Sequence, residues 1–398
     1  MKRALLLFSC LTLVIAFASC GGYNSGSTKK QAIVSGLAKR AFVSIRFSNP
    51  SSAIGIVDAQ KDQPAANHPQ ITDLAGPSIM LVSPNRKITA VFDSTNNAMS
   101  TLDNTGESES SAFVLGDRTE SFVVLPDDST MVVAIRNRAL VFVGDKNGSV
   151  SAQIVVPQVH WLAMTPDGKK VLAFSDGINS VAIIDTTVTP AVVVATVPGF
   201  DRPVGAAMSS DNNTAFILNC GPECGGTTAS VMSLNIATHA VSAPVPVPGA
   251  TVGLLNGTTL TVAGSPPGHV CSGTSTPCGV LSIVDTASMT SSAGSQRDIS
   301  DGYHYKMAAA SNSKIYIGAR TCQNQTQGCL SFYNTGTQTA AISKPEGDVT
   351  GLQPISGRTV VYVVAGGELR IYDTGSDTEQ ATQIDFVGQA WDVVQPDP

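Results

Sequence analysis

Acid, imidazole, guanidinium and phenol side chains recur at one kind of place in this sequence, just ahead of a short apolar stretch that runs into a turn. Glu120, His160, Tyr305 and Asp348 stand at such starts, with Arg202 and His304 close by. Grouped around a common centre, this set would bind a small polar ligand or coordinate a metal, and the mouth of a channel is a common place for such a site. Catalysis asks for more: a nucleophile, a base and an orienting group in a recognisable order, and the sequence offers none. It also holds no Walker-type phosphate loop and no serine in a G-x-S-x-G elbow. The expectation is therefore a ligand site without catalytic residues, without a resident metal and without a cofactor.

A second chemistry belongs to cysteine. Beyond Cys10 and Cys20 there are six, in three close pairs: Cys220/Cys224, Cys271/Cys278 and Cys322/Cys329. An even count in an exported chain reads as disulfides, and a hairpin loop brings its ends near enough to close each pair. Zinc would prefer CxxC spacing with histidines nearby, and neither occurs.

The elements that must position these residues come from internal repetition. The clearest unit starts at His160 and reads HWLAMTPDGKKVLAFSDGINSVAIIDTTV. It holds a short apolar strand, a Pro-Asp-Gly turn, an alternating strand, a Gly-Ile-Asn turn and a third strand ending in Ile-Asp-Thr. Similar units begin near Ser78, Ser121, Val204, Thr251, Tyr305 and Val349. At the N-terminal side, RAFVSIRF and AIGIVDAQ look like second and third strands without a first, whereas the C-terminal AWDVVQPD looks like a first strand with nothing after it. Joined, they complete one more unit and close a ring, which protects strand edges. Asp127, Asp128 and Asp167 fall at turn positions and lack the alternating oxygen ligands of a calcium loop, so they read as turn formers. Trp161 and Trp391 fall at the same repeat position and read as packing between units.

The residues Thr165-Pro166-Asp167-Gly168, Val171-Leu172-Ala173-Phe174 and Ile183-Ile184-Asp185-Thr186 resemble the YVTN-type β-propeller repeat over roughly Arg40 to Pro398. The resemblance implies an all-β fold, a single propeller of about eight four-stranded blades, with seven as the usual family number. On that fold each cysteine pair lies between the second and third strands of its blade. Loops joining those strands share a face with the loops that enter first strands. The three pairs would then stiffen one sector of one face.

At the start, Lys2 and Arg3 precede the apolar run Ala4 to Phe17, and the segment closes with Phe17-Ala18-Ser19-Cys20. This is the plan of a secretory signal, too short for a transmembrane helix. Its end resembles the lipobox of bacterial lipoproteins, which implies cleavage after Ser19 and acylation of Cys20, and Gly21 in place of Asp implies the outer membrane in a two-membrane cell. Residues 1–19 then form the signal peptide, 20–38 the lipidated cysteine and a Gly/Ser-rich tether, and 39–398 the propeller. With 24 basic against 30 acidic residues, and a net charge of −6 that becomes −8 once Lys2 and Arg3 are removed, the chain has no basic surplus for nucleic acid. Two functions are expected from these features. One is a lipid-anchored envelope propeller that binds an envelope protein or small ligand through its disulfide-stiffened face; the other is a periplasmic lactonase-like hydrolase using the central channel.

Overall fold

A computed structural model describes residues 34–47, 52–324, 326–381 and 384–398. The expected signal peptide, Cys10, Cys20 and the expected tether through Ile33 lie outside the described residues. The third repeat shows how local sequence builds a unit. Val159–Met164, Lys170–Ser175, Ser180–Asp185 and Val192–Pro198 form one antiparallel sheet in chain order. The two middle strands are buried on both faces, which is why VLAF and VAII are continuous apolar runs and do not alternate. Between the first two strands, Gly168 has φ +71°, and a Cβ there would lie 2.2 Å from Cδ of Pro126 in the preceding unit. Positive φ and close approach both demand glycine at that turn.

Seven further sheets repeat this plan among the described residues. Their innermost strands are Pro77–Val82 (blade 1), Ser121–Val124 (blade 2), Pro203–Met208 (blade 4), Val252–Asn256 (blade 5), Tyr303–Ala310 (blade 6) and Val349–Pro354 (blade 7), the third repeat being blade 3. Blade 8 joins the chain ends. Its inner strand is Gln389–Val394, its second is Arg40–Arg46 and its third is Ser52–Asp58, all antiparallel. The fold is thus an eight-bladed β-propeller closed by its last strand, and the seven-blade count does not apply.

Each blade buries both faces of its middle strands, so the core is divided among the interfaces. Eight apolar clusters each sit between two neighbouring blades, for example Val132, Val141, Val171 and Ile184 between blades 2 and 3. At about 25 cal/mol per Å² of apolar surface, these interfaces supply most of the stabilisation, and any open interface would be lost to water.

Chain direction sorts the loops into two faces. The connections into inner strands and the loops between second and third strands lie on one, here called the upper face. The Pro-Asp-Gly turns and the turns between third and fourth strands lie on the lower face. Both chain ends leave from the lower face: the Ser35 amide donates to Glu107 of a lower turn at 2.5 Å, and Arg40 pairs with Glu107 at 2.8 Å and with Asp397 at 2.6 Å. Ser35 is buried and Leu37 packs on the interface of blades 8 and 1, so the compact unit starts by Val34, earlier than residue 39. Composition suggested a tether there because five residues are too few to show a period.

Candidate functional site

The six cysteines form the bonds Cys220–Cys224, Cys271–Cys278 and Cys322–Cys329. Each closes the loop between second and third strands, in blades 4, 5 and 6 in turn, on the upper face. On the chain-entropy model, loops this short gain roughly 2 to 2.5 kcal/mol per bridge. Hydrogen bonds then tie the loops to one another and to neighbouring connections. Glu223, inside the first cystine loop, accepts from the Ser265 amide of blade 5 at 2.7 Å, and Ser265 donates through its hydroxyl to the Gly302 carbonyl at 2.6 Å. Asp301 accepts from the Gln323 amide at 2.7 Å, and Asp348 accepts from the Thr321 amide at 2.7 Å. Within blade 5, Asp298 holds His269 at 3.0 Å and the Ser272 amide at 2.7 Å.

The residues expected at the channel mouth divide into three groups. Glu120 and His160 do meet: Nδ1 of His160 lies 3.2 Å from the Glu120 carboxylate and 2.8 Å from the Arg136 guanidinium. Neutral at Nδ1 the ring accepts from Arg136, and protonated it donates to Glu120. The His160 ring, with Arg118 and Arg136 nearby, holds the Glu120 carboxyl below its usual range against a desolvation cost. Arg136 also pairs with Asp176 at 3.0 Å. Arg202 stands beside this group, donating to the Asp176 carbonyl at 3.3 Å and to the Gly225 carbonyl at 3.5 Å. Tyr305 and Asp348 lie further round the ring, Tyr305 with its hydroxyl donated to the Val349 carbonyl at 2.5 Å and Asp348 engaged by the Thr321 amide.

His304 does not line the channel. It is fully buried in the wedge between blades 5 and 6, with Ser265 and Ser300 hydroxyls 3.4 Å from its two ring nitrogens. Gly279 makes room, since a Cβ there would lie 2.5 Å from its Cε1. The reason is strand parity. Inner strands of blades 1, 3, 4, 6, 7 and 8 carry an irregularity near their upper ends, and in blade 6 it falls between His304 and Lys306. An inserted residue of this kind re-aims its neighbours. Tyr305 therefore takes the place that His160 holds in blade 3, and His304 turns inward. The same irregularity separates the tryptophans: Trp161 pairs with Phe174 and packs into the interface of blades 3 and 4, whereas Trp391 is the skipped residue and lies 3.8 Å under the Arg46 guanidinium. They are one position apart.

Sequence reasoning missed Tyr303, Arg320, Arg136, Asp176 and Glu223. Burial pushes the Tyr303 phenol up to about 12, with smaller contributions from Glu223, Glu120 and Asp176 opposed by Arg320. Arg136, Asp176 and Arg320 all sit at the upper ends of second strands or just beyond, a position that aligning first strands alone does not test. Among the described residues, no three His, Cys, Asp and Glu side chains converge as metal ligands would. Asp127 and Asp167 do serve as turn formers, Asp127 accepting from the Ser129 and Thr130 amides and Asp167 from the Lys169 amide.

Burial pushes the Glu223 carboxyl up to about 7, although the Ser265 amide favours its charged form. Its folded value lies above the usual 4.5, so ionisation works against the fold as pH rises from about 4.5, and the full cost, at most about 3 kcal/mol, is reached above about 7. His304 has the opposite sign of dependence: burial lowers it from 6.5 to about 4, so its contribution is complete above 6.5 and fades as pH falls towards 4. Glu223→Gln is accordingly expected to melt with the parent protein at pH 4 and several degrees above it at pH 8. Parallel melting curves at both values check this; equal melting temperatures at pH 8 would contradict it.

No family model matches the sequence, and no curated protein matches it. Solved structures do resemble the fold. A chain of Kuenenia stuttgartiensis hydrazine synthase superposes with a TM-score of 0.58 at 16% identity, over 78% of this chain and 96% of that one. Dihydro-heme d1 dehydrogenase NirN in complex with DHE gives 0.67 at 12% identity, over 89% and 74%. A chain of the mitotic checkpoint complex gives 0.56 at 11%, over 91% and 98%. These identities establish the architecture alone. The class defined by fold and site is an eight-bladed β-propeller with one cystine-bearing face.

Proposed function

We propose that this chain is a lipid-anchored propeller of the cell envelope that binds an envelope protein or a small ligand through its cystine-bearing face, without catalysis. The observation that carries the reading is the joining of three consecutive cystine loops, through Glu223, Ser265, Asp301 and Asp348, into one ordered sector beside the channel mouth. Ordered loops on a rigid ring are where binding function concentrates. The alternative, a lactonase-like hydrolase using the central channel, would have to be built on the Glu120–His160 pair at the rim, since His304 is buried in a wedge.

The anchor follows from the lipobox-like ending at Cys20, with the outer membrane as the destination in a two-membrane cell. Val34 lies at the lower face, so the tether from an acylated Cys20 would join the ring on the side opposite the cystines. Fourteen residues span at most roughly 45 Å when extended, enough to hold the ring clear of the headgroups. Two results test the reading. Cys20→Ser should take up no labelled palmitate and move from the membrane to the soluble fraction. Replacing the loops between Cys271 and Cys278 and between Cys322 and Cys329 by short turns should abolish crosslinking to envelope partners while the ring stays folded; unchanged crosslinking would overturn the binding assignment.

A further inference from the structure

The first cystine loop is tied to its own blade and to the next blade by different groups. On its own blade, Asp201 accepts from the Thr227 and Thr228 amides at 2.8 and 2.6 Å, and the Cys220 amide donates to the Arg202 carbonyl at 3.0 Å. To blade 5 it makes a single hydrogen bond among the described residues, from the Ser265 amide to the Glu223 carboxylate at 2.7 Å. Ser265 opens the stretch that carries the second cystine, and its hydroxyl, donated to the Gly302 carbonyl, leads on to blade 6. The Glu223–Ser265 bond is therefore where the linked sector can part without unfolding either loop.

The surroundings of Glu223 set the condition under which it parts. Burial and the Ser265 amide are what act on its carboxyl, and no described cation neutralises it. Arg202 donates to the Asp176 and Gly225 carbonyls, Arg320 lies on the Tyr305 ring, and His269 of the second cystine loop is held by Asp298. The Tyr303 phenol of blade 6 feels the Glu223 charge but keeps its proton to about 12, and His304, 3.4 Å from the Ser265 hydroxyl, is neutral above about 4. Asp201 is engaged by the loop itself. A carboxylate left with one amide and no cation gains hydration by turning away, whereas the protonated carboxyl keeps the bond through its carbonyl oxygen. Glu223 is only half-buried, so solvent is close at hand.

We propose that the Glu223–Ser265 bond is a pH-operated latch between the first two cystine loops, closed while Glu223 holds its proton and loosened when that proton passes to water. In the closed latch the carboxyl sits near 7 and in the open one near its usual 4.5, so opening grows as pH rises between these values, at most about tenfold per unit, and levels off above 7. The latch rests on the binding reading above only for its role, which is to set how firmly the partner surface is ordered. Amide hydrogen exchange of the full mature chain, each rate divided by its unstructured-chain value at the same pH, follows the opening directly. Protection of the Ser265 amide is expected to fall about tenfold or more between pH 5 and pH 7 and to change little from pH 7.5 to pH 8.5. Glu223→Gln keeps an acceptor and cannot ionise, so its protection should stay high and level. The Gly226 amide, which donates to the Gly221 carbonyl inside the first loop at 2.7 Å, should keep constant protection in both proteins. Level protection at Ser265 in the parent, the same fall in Glu223→Gln, or an equal fall at Gly226, which means that the whole loop unfolds, would each overturn the latch. The parent series decides by itself if the variant does not fold. Because the amide itself is read, the latch and the partner surface fail independently.

Discussion

Ending the chain at Gly388 is expected to abolish the cooperatively folded ring. The deleted strand, Gln389–Val394, pairs with Arg40–Arg46 from Phe42↔Val394 to Arg46↔Gln389 and buries Ala390, Asp392 and Val393. It also carries the approach to Asp397, whose carboxylate holds Arg40 at 2.6 Å. Without it, the second strand of blade 8 becomes an open edge facing the channel, and two of the eight core clusters lose a wall. A domain is stable by only about 5 to 15 kcal/mol, and the loss of a whole inner strand is of that order. The truncated protein should show no sharp thermal transition and should aggregate, and a synthetic peptide of residues 389–398 should restore part of the transition when added. A truncated chain that melts like the parent would show that closure is dispensable.

The second large effect is expected at Asp392. Its carboxylate is buried, accepts from the Met80 amide of blade 1 at 3.0 Å and from the Val393 amide at 3.0 Å, and takes Lys306 of blade 6 at 3.1 Å. It therefore ties together strands on both sides of the closure, with Lys306 reaching past blade 7. Asp392→Ala leaves a half-buried ammonium and a buried amide without their acceptor, a loss of about 3 to 5 kcal/mol. For a domain of this size that lowers the melting temperature by about 5 °C or more. Asp392→Asn keeps an acceptor for Met80 and should cost less. Combining Asp392→Ala with Lys306→Met removes the stranded charge, so the double variant should be more stable than the sum of the single losses predicts. Calorimetric melting of the four proteins decides this, and strict additivity would show that the pair contributes nothing beyond its parts.

Much of the fold was legible because each blade repeats the same local problem. Pro166-Asp167-Gly168 is a turn by the properties of its own residues, and VLAF and VAII are strands by theirs. Cys271 and Cys278 lie close because a hairpin loop must bring its ends together. The half-unit at each end implied closure, since an unpaired strand at Ala41 and another at Trp391 have no other stable use. His304 was misplaced for the opposite reason. Strand alternation predicts which residues share a side only while the count of two holds, and one extra residue at Tyr305 reverses it. The same shift separates Trp161 from Trp391.

The sequence by itself determined the repeat, the all-β class, the ring closure and the three cystine loops, all of which depend on neighbours in the chain. Tertiary structure alone decided that Lys306 reaches Asp392, that Glu223 caps Ser265, that Arg320 lies on Tyr305, and that the chain ends leave from the face opposite the cystines. Those contacts join different repeats, and their energies depend on burial and on which charges are already paired. Neither quantity exists until the blades close around a common axis.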